Sequence, residues 1–135
     1  MSATDKYDIF LSYSLKDQDW VSEFAAALKE AGLRPWFDAS QIRPGERWKE
    51  KIQDALRESR TLVVVLTPNN IDDPSIFFEV GAAVADNKRI IPVLTEDLDF
   101  AKVPSLLLRL QPLRESSPRE AARKVVEVLQ ESVET

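Results

Sequence analysis

The 135-residue chain contains no cysteine and no histidine. Without cysteine it has no disulfide framework, no thiolate metal site and no cysteine nucleophile, a composition suited to a reducing cytoplasm. Without histidine it lacks the commonest general base and the commonest metal ligand. Only three glycines are present, Gly32, Gly45 and Gly81, and they are spaced neither as a G-x-G-x-x-G dinucleotide turn nor as a P-loop. No apolar run is long enough to span a bilayer, and Met1 to Tyr7 is too polar for a signal peptide. The net charge of −5 disfavours nonspecific binding to nucleic acid or an acidic membrane. What remains has 44% hydrophobic and 30% charged residues and the length of one ordinary globular domain.

Short apolar runs alternate with amphipathic spacing. Ile9 to Ser12 reads as a first strand, and Trp20, Phe24, Ala27, Leu28 and Ala31 recur on one face of a helix that Gly32 stops. Arg34 to Phe37 is a short second strand, and Trp48, Ile52, Ala55, Leu56 and Ser59 repeat the helical period. Thr61 to Leu66 ("TLVVVL") is a continuous β-branched run, the mark of a central strand buried on both faces. Asp73-Pro74 opens a third helix. Arg89 to Leu94 is a fourth strand in which Pro92 predicts an edge or an irregularity. Val103 to Leu113 is ambiguous and contains at most a weak fifth strand; Ser117-Pro118-Arg119-Glu120 is a capping box opening the last helix. With no repeat, linker or low-complexity segment, residues 1–135 are expected to form one domain, its core at about 7–131. The alternation predicts a parallel sheet with helices on both faces, with function beyond the carboxyl ends of its strands.

Glu79 is the residue out of place. It sits among Phe77, Phe78, Val80, Ala82, Ala83, Val84 and Ala85, where desolvating an unpaired carboxylate is costly. Either it turns into a cleft or it is a solvated surface residue. Helical geometry sets Ser75, Glu79, Ala82 and Asp86 on one small and polar stripe, with Ile76, Val80 and Ala83 on the apolar side. The acidic pairs Asp17/Asp19, Asp72/Asp73 and Asp97/Asp99 read better as caps and turn residues than as metal ligands, so no metal is expected. A phospho-receiver would need an Asp where the central strand ends, and here that strand runs into Thr67-Pro68.

Four stretches, in order, resemble the TIR (Toll/interleukin-1 receptor) domain family: "YDIFLSYS" from Tyr7, "SLKDQDWVSEFAAALKEAGLRPWFD", "ASQIRPGERW" and "FFEVGAAVADNKRIIPVL". The resemblance covers Tyr7 to about Glu131 and is strongest toward bacterial members. It implies a flavodoxin-like, doubly wound, five-stranded parallel sheet of order 2-1-3-4-5. It also implies one of two functions. The first is cleavage of NAD⁺ at the nicotinamide–ribosyl bond after self-association, in bacterial defence or virulence signalling, with NAD⁺ as substrate and no cofactor. The second is a non-enzymatic TIR–TIR interaction module, a scaffold or a mimic of host TIR domains. Enzymatic members carry an essential Glu in the helix after the third strand, the position of Glu79, and an aromatic ring that stacks on substrate, the position of Trp36. Ser12, Ser14 and Ser75 are the accompanying substrate-binding candidates. Two of them depart from the family pattern: Ser75 stands where many enzymes have Trp, and Ser14 where some have a basic residue, Lys16 being the nearest cation. Ile42, Arg43, Pro44, Gly45, Glu46 and Arg47 match the BB loop, implying self-association or contact with other TIR domains in the cytoplasm.

Overall fold

The computed structural model describes residues 7–36, 48–95 and 97–134. Five strands, β1 (Tyr7–Ser12), β2 (Pro35–Trp36), β3 (Ser59–Leu66), β4 (Arg89–Leu94) and β5 (Leu113–Arg114), form one sheet in the order β2-β1-β3-β4-β5. All pairings are parallel. The helices between them are α1 (Gln18–Glu30), α2 (Trp48–Arg57), α3 (Pro74–Ala85), α4 (Ser105–Leu108) and α5 (Pro118–Glu134). None of the described helices is long and apolar enough to cross a membrane.

Strand alternation divides the core into two layers. Ile9, Leu11, Val63, Val65, Ile91 and Val93 pack against α1 and α5, chiefly on Val21, Phe24, Leu28 and Val125. Phe10, Leu62, Val64, Leu66, Ile90 and Leu94 pack on the opposite face against α2, α3 and α4. Residues two apart share a face, so β3 buries Val63 and Val65 on one side and Val64 and Leu66 on the other. This fixes which helix meets which end of the strands, and therefore where Glu79 arrives.

Local chemistry sets the boundaries. Gly32 adopts φ 92°, and Leu33 N donates to Leu28 O at 3.1 Å, closing α1 with the left-handed residue its C-terminus needs. Asn87 at φ 55° does the same for α3, with Lys88 N donating to Ala83 O. Glu120 N donates to Ser117 Oγ at 3.3 Å, as the capping box predicts.

Four details refine the sequence reading or lie beyond what the structure describes. Ser59 begins β3 instead of ending α2, its hydroxyl donating to Ala55 O at 2.6 Å. Phe37 lies outside the described residues, the described part of β2 being Pro35–Trp36. Val103 to Leu113 is mostly α4 and turns, with only Leu113 entering β5. Pro92 lies in a strand paired on both sides, yet β5 reaches only Val93 and Leu94, so at Pro92 itself β4 has a described partner only in β3. A missing ladder donor is tolerated there.

Candidate active site

The site begins where β1 and β3 end. Phe10 and Ser12 are the two side chains at the carboxyl half of β1 on the α3 side, and Ser12 is level with Val64 of β3. From Leu66 the chain runs through residues 67–73 into α3. Asn70, 1% exposed, shapes this turn: its Oδ1 accepts from Thr67 N at 2.9 Å and its Nδ2 donates to Val65 O at 2.8 Å. Thr67 Oγ1 donates to Asp17 Oδ2 at 2.7 Å, and Asn69 Nδ2 donates to Asp17 Oδ1 at 2.9 Å, tying the turn to the start of α1. Both oxygens of Asp17 are thus engaged in holding the loop; the side chain makes no cap hydrogen bond to α1, so its role is a long-range tie and not the local cap or turn expected of it.

Asn69 and Asn70 were not singled out in the sequence. The available signal was Pro68-Asn69-Asn70 directly after a buried strand, since Asn side chains replace backbone partners in turns. Asn70→Ala is expected to destabilise the fold by about 2–4 kcal/mol, because it strips buried Thr67 N and Val65 O of their partner at roughly 1–3 kcal/mol each. Chemical denaturation measures this, and a loss below about 0.5 kcal/mol would show that water replaces the amide.

The turn delivers α3 so that Ile76, Val80 and Ala83 enter the core and Glu79 is carried with them. Glu79 is only partly exposed, and its Oε2 is buried without a hydrogen-bond partner. Burial, above all, pushes its carboxyl up to about 7. The nearby Ser12 hydroxyl opposes this by favouring the ionised form, and the negative charge of Asp73 adds to the rise. Ser12, 3% exposed, likewise has a buried Oγ with no partner. The two groups are therefore neighbours short of a formed hydrogen bond. An outward-facing helical residue would hold its ordinary carboxylate value, so Glu79 is more enclosed than the polar stripe on α3 predicts.

The other candidates are placed as follows. Trp36 is 8% exposed and stacked on Phe10, ring centroids 4.9 Å apart, so one ring face is already covered by the core. Acting as a substrate platform would require it to repack. Ser14 Oγ accepts from Lys16 N at 3.2 Å and caps the turn at Leu15–Asp17. Ser75 lies in the first turn of α3, but its side chain, like Ile42 to Arg47 of the loop before α2, lies outside the described residues. The structure thus brings together Ser12, Asp73 and Glu79. A separate cavity of about 340 Å³, lined by Asp17, Trp20, Thr67, Thr95, Asp97 and Ser116, opens beside α1 on the other side of the sheet. Among the described residues, no three acidic side chains are grouped to hold a metal ion.

A doubly wound parallel sheet with a carboxyl-edge site defines the class of protein; its family is shown by the profile of the TIR domain, which matches residues 9–130. The chain belongs to the TIR domain family. It is 30% identical over 93 residues to a 2′ cyclic ADP-D-ribose synthase of Acinetobacter baumannii, covering 65% of this chain and 35% of that protein. It is 34% identical over 68 residues to an NAD(+) hydrolase of Paracoccus denitrificans, covering 50% and 23% respectively. Among solved structures, the TIR domain of a Toll-related receptor from Hydra magnipapillata superposes with a TM-score of 0.75 at 23% identity, covering 96% of this chain and all of that one. The chain spans less than half the length of either enzyme it matches.

Proposed function

We propose that this domain cleaves NAD⁺ at the nicotinamide–ribosyl bond, with Glu79 as its catalytic carboxylate and self-association as its working state. The observation that carries the reading is the buried, unpartnered carboxyl oxygen of Glu79 beside the unpartnered Ser12 hydroxyl at the carboxyl edge. Relatives named for NAD⁺ hydrolysis and for cyclic ADP-ribose synthesis support it. Nicotinamide in NAD⁺ is a pyridinium and leaves without general-acid help, so a site with no histidine and no cysteine suffices. The carboxylate holds ribose hydroxyls and opposes the positive charge that develops on the ribosyl ring as the bond breaks. A cationic substrate favours the ionised form of Glu79 on binding. The residues at Ser14, Trp36 and Ser75 complete the substrate contacts, Trp36 after repacking, and the domain works in the cytoplasm. Incubation of concentrated protein with NAD⁺, assayed for nicotinamide, tests the reading; no release at any concentration would leave the interaction module standing instead.

The self-association surface is assigned to the loop from Ile42 to Arg47. Pro44 restricts φ and Gly45 accepts turn geometry that other residues resist, while Arg43, Glu46 and Arg47 offer charge to a neighbouring copy. Pro44→His is expected to weaken assembly without unfolding the domain. Light scattering at matched concentrations reads this, and identical association of both proteins would move the interface elsewhere.

A further inference from the structure

Ser12 is an expensive residue where it stands. Its nearest neighbours on that face, Phe10 and Val64, are apolar, and a hydroxyl buried without a partner loses hydration with no return. Alanine would fill nearly the same volume without that cost. Glu79, whose carboxyl the Ser12 hydroxyl influences, has the same deficit at Oε2. A neutral carboxyl and a serine can remain unjoined, but an ionised carboxylate accepts strongly from any donor within reach.

Among the described residues, the surroundings offer few other donors or charges. From the approach to α3, Asp73 is the charged group acting on Glu79. The faces of β3 and β4 against which α3 packs present Val64, Leu66, Ile90 and Leu94, none titratable. From α3 itself come Ile76, Val80 and Ala83. Among the described residues, Ser12 is the side chain that favours the ionised form of Glu79.

We propose that Ser12 is a positioning residue for Glu79: its hydroxyl donates to the inward oxygen, Oε2, when the carboxyl ionises, and so leaves Oε1 turned toward the ribosyl group of the substrate. The resting arrangement, two orphaned groups side by side, is then the protonated state of the site. Loss of the proton joins them, and the carboxylate becomes fixed in one orientation. The inference rests on the reading of Glu79 as the catalytic carboxylate, but its coupling to Ser12 can be measured apart from catalysis.

The test is a titration of the Glu79 side-chain carboxyl carbon by ¹³C NMR from about pH 5 to pH 9, assigned by its absence in Glu79→Gln. Wild type, Ser12→Ala and Ser12→Thr are compared, with kcat/KM for NAD⁺ measured on the same samples. Removing the donor raises the midpoint in Ser12→Ala by about one pH unit, the scale of one hydrogen bond to a charged group. The acidic limb of kcat/KM moves with it. Near the wild-type midpoint the variant is then several-fold slower, and about two units higher it recovers most of the difference. Ser12→Thr keeps a hydroxyl and returns both midpoints toward wild type. Should Ser12→Ala melt early, Ser12→Cys, with a weaker donor, gives an intermediate midpoint. An unchanged carboxyl midpoint in Ser12→Ala, or a loss of activity equal at every pH, overturns the proposal while leaving NAD⁺ cleavage by Glu79 intact. A displaced midpoint in a wild-type background that cleaves no NAD⁺ supports the coupling and sinks the catalytic reading.

Discussion

Glu79→Gln is expected to lower nicotinamide release by roughly two or more orders of magnitude, the scale of losing one well-placed electrostatic group. The amide keeps the size of the side chain and its ability to accept from Ser12 or a ribose hydroxyl. It cannot supply the negative charge that the ribosyl cation requires. Since the side chain is mostly buried, little water is available to screen or replace that charge, so the loss falls on kcat and is not recovered by more substrate. Glu79→Ala loses activity to a similar extent. A Glu79→Gln protein that cleaves NAD⁺ at the wild-type rate, at equal concentration and equal assembly, would remove Glu79 from the mechanism.

The same substitution is expected to make the domain more stable at alkaline pH. Glu79 has an ordinary value of 4.5 and is pushed up to about 7 in the fold. The folded state therefore binds more protons than the unfolded chain between these values, and stability falls as pH rises through that window. Below about pH 4.5 the carboxyl is neutral in both states and imposes no penalty. Above pH 7 it is ionised in both, and the folded state bears the full cost of desolvating it. The shift corresponds to about 3 kcal/mol at most. Because the side chain is partly exposed and the Gln amide is itself poorly partnered, a gain of about 1–2 kcal/mol near pH 8.5 is the expected result. Urea denaturation of dilute protein at that pH and near pH 4 measures it. A Gln variant less stable than wild type at both values would show that the carboxylate is compensated by a partner.

How much of this was legible depended on the kind of signal. β3 announces itself because six consecutive apolar or β-branched residues, Thr61 to Leu66, leave no side for water. Its place at the centre of the sheet followed. Glu79 was legible as an anomaly, one acid in an apolar helix, and the family pattern supplied the role proposed for it. Its degree of enclosure was not, because helical spacing assigns a face but cannot say how far Ser12 of β1 closes over it. Asn70 was invisible as a structural residue, and Asp17, read as a cap or turn residue, gave no sign of its long-range tie: their work is done by single hydrogen bonds to Thr67, Val65 and Asn69, which no periodicity encodes. Trp36 illustrates the opposite failure. An aromatic at a strand end reads equally well as platform or core, and stacking on Phe10 is decided by the register of β1 against β2.

The register of the two innermost strands also governs how the chain comes to its fold. Tyr7 lies beside Ser59, and Ser12 beside Val64, so β1 meets its principal neighbour only after the whole of α1 and α2 has been made. Until then the growing chain offers it β2 alone, described here by two residues. Closing so long a segment comes before any reward from pairing, which makes the nascent sheet slow to zip compared with a helical bundle of equal size. During synthesis the apolar stretch from Ile9 to Leu11 must wait, uncovered, for residues 59–66 to emerge from the ribosome. Over that interval it is exposed apolar surface of the kind that chaperones cover.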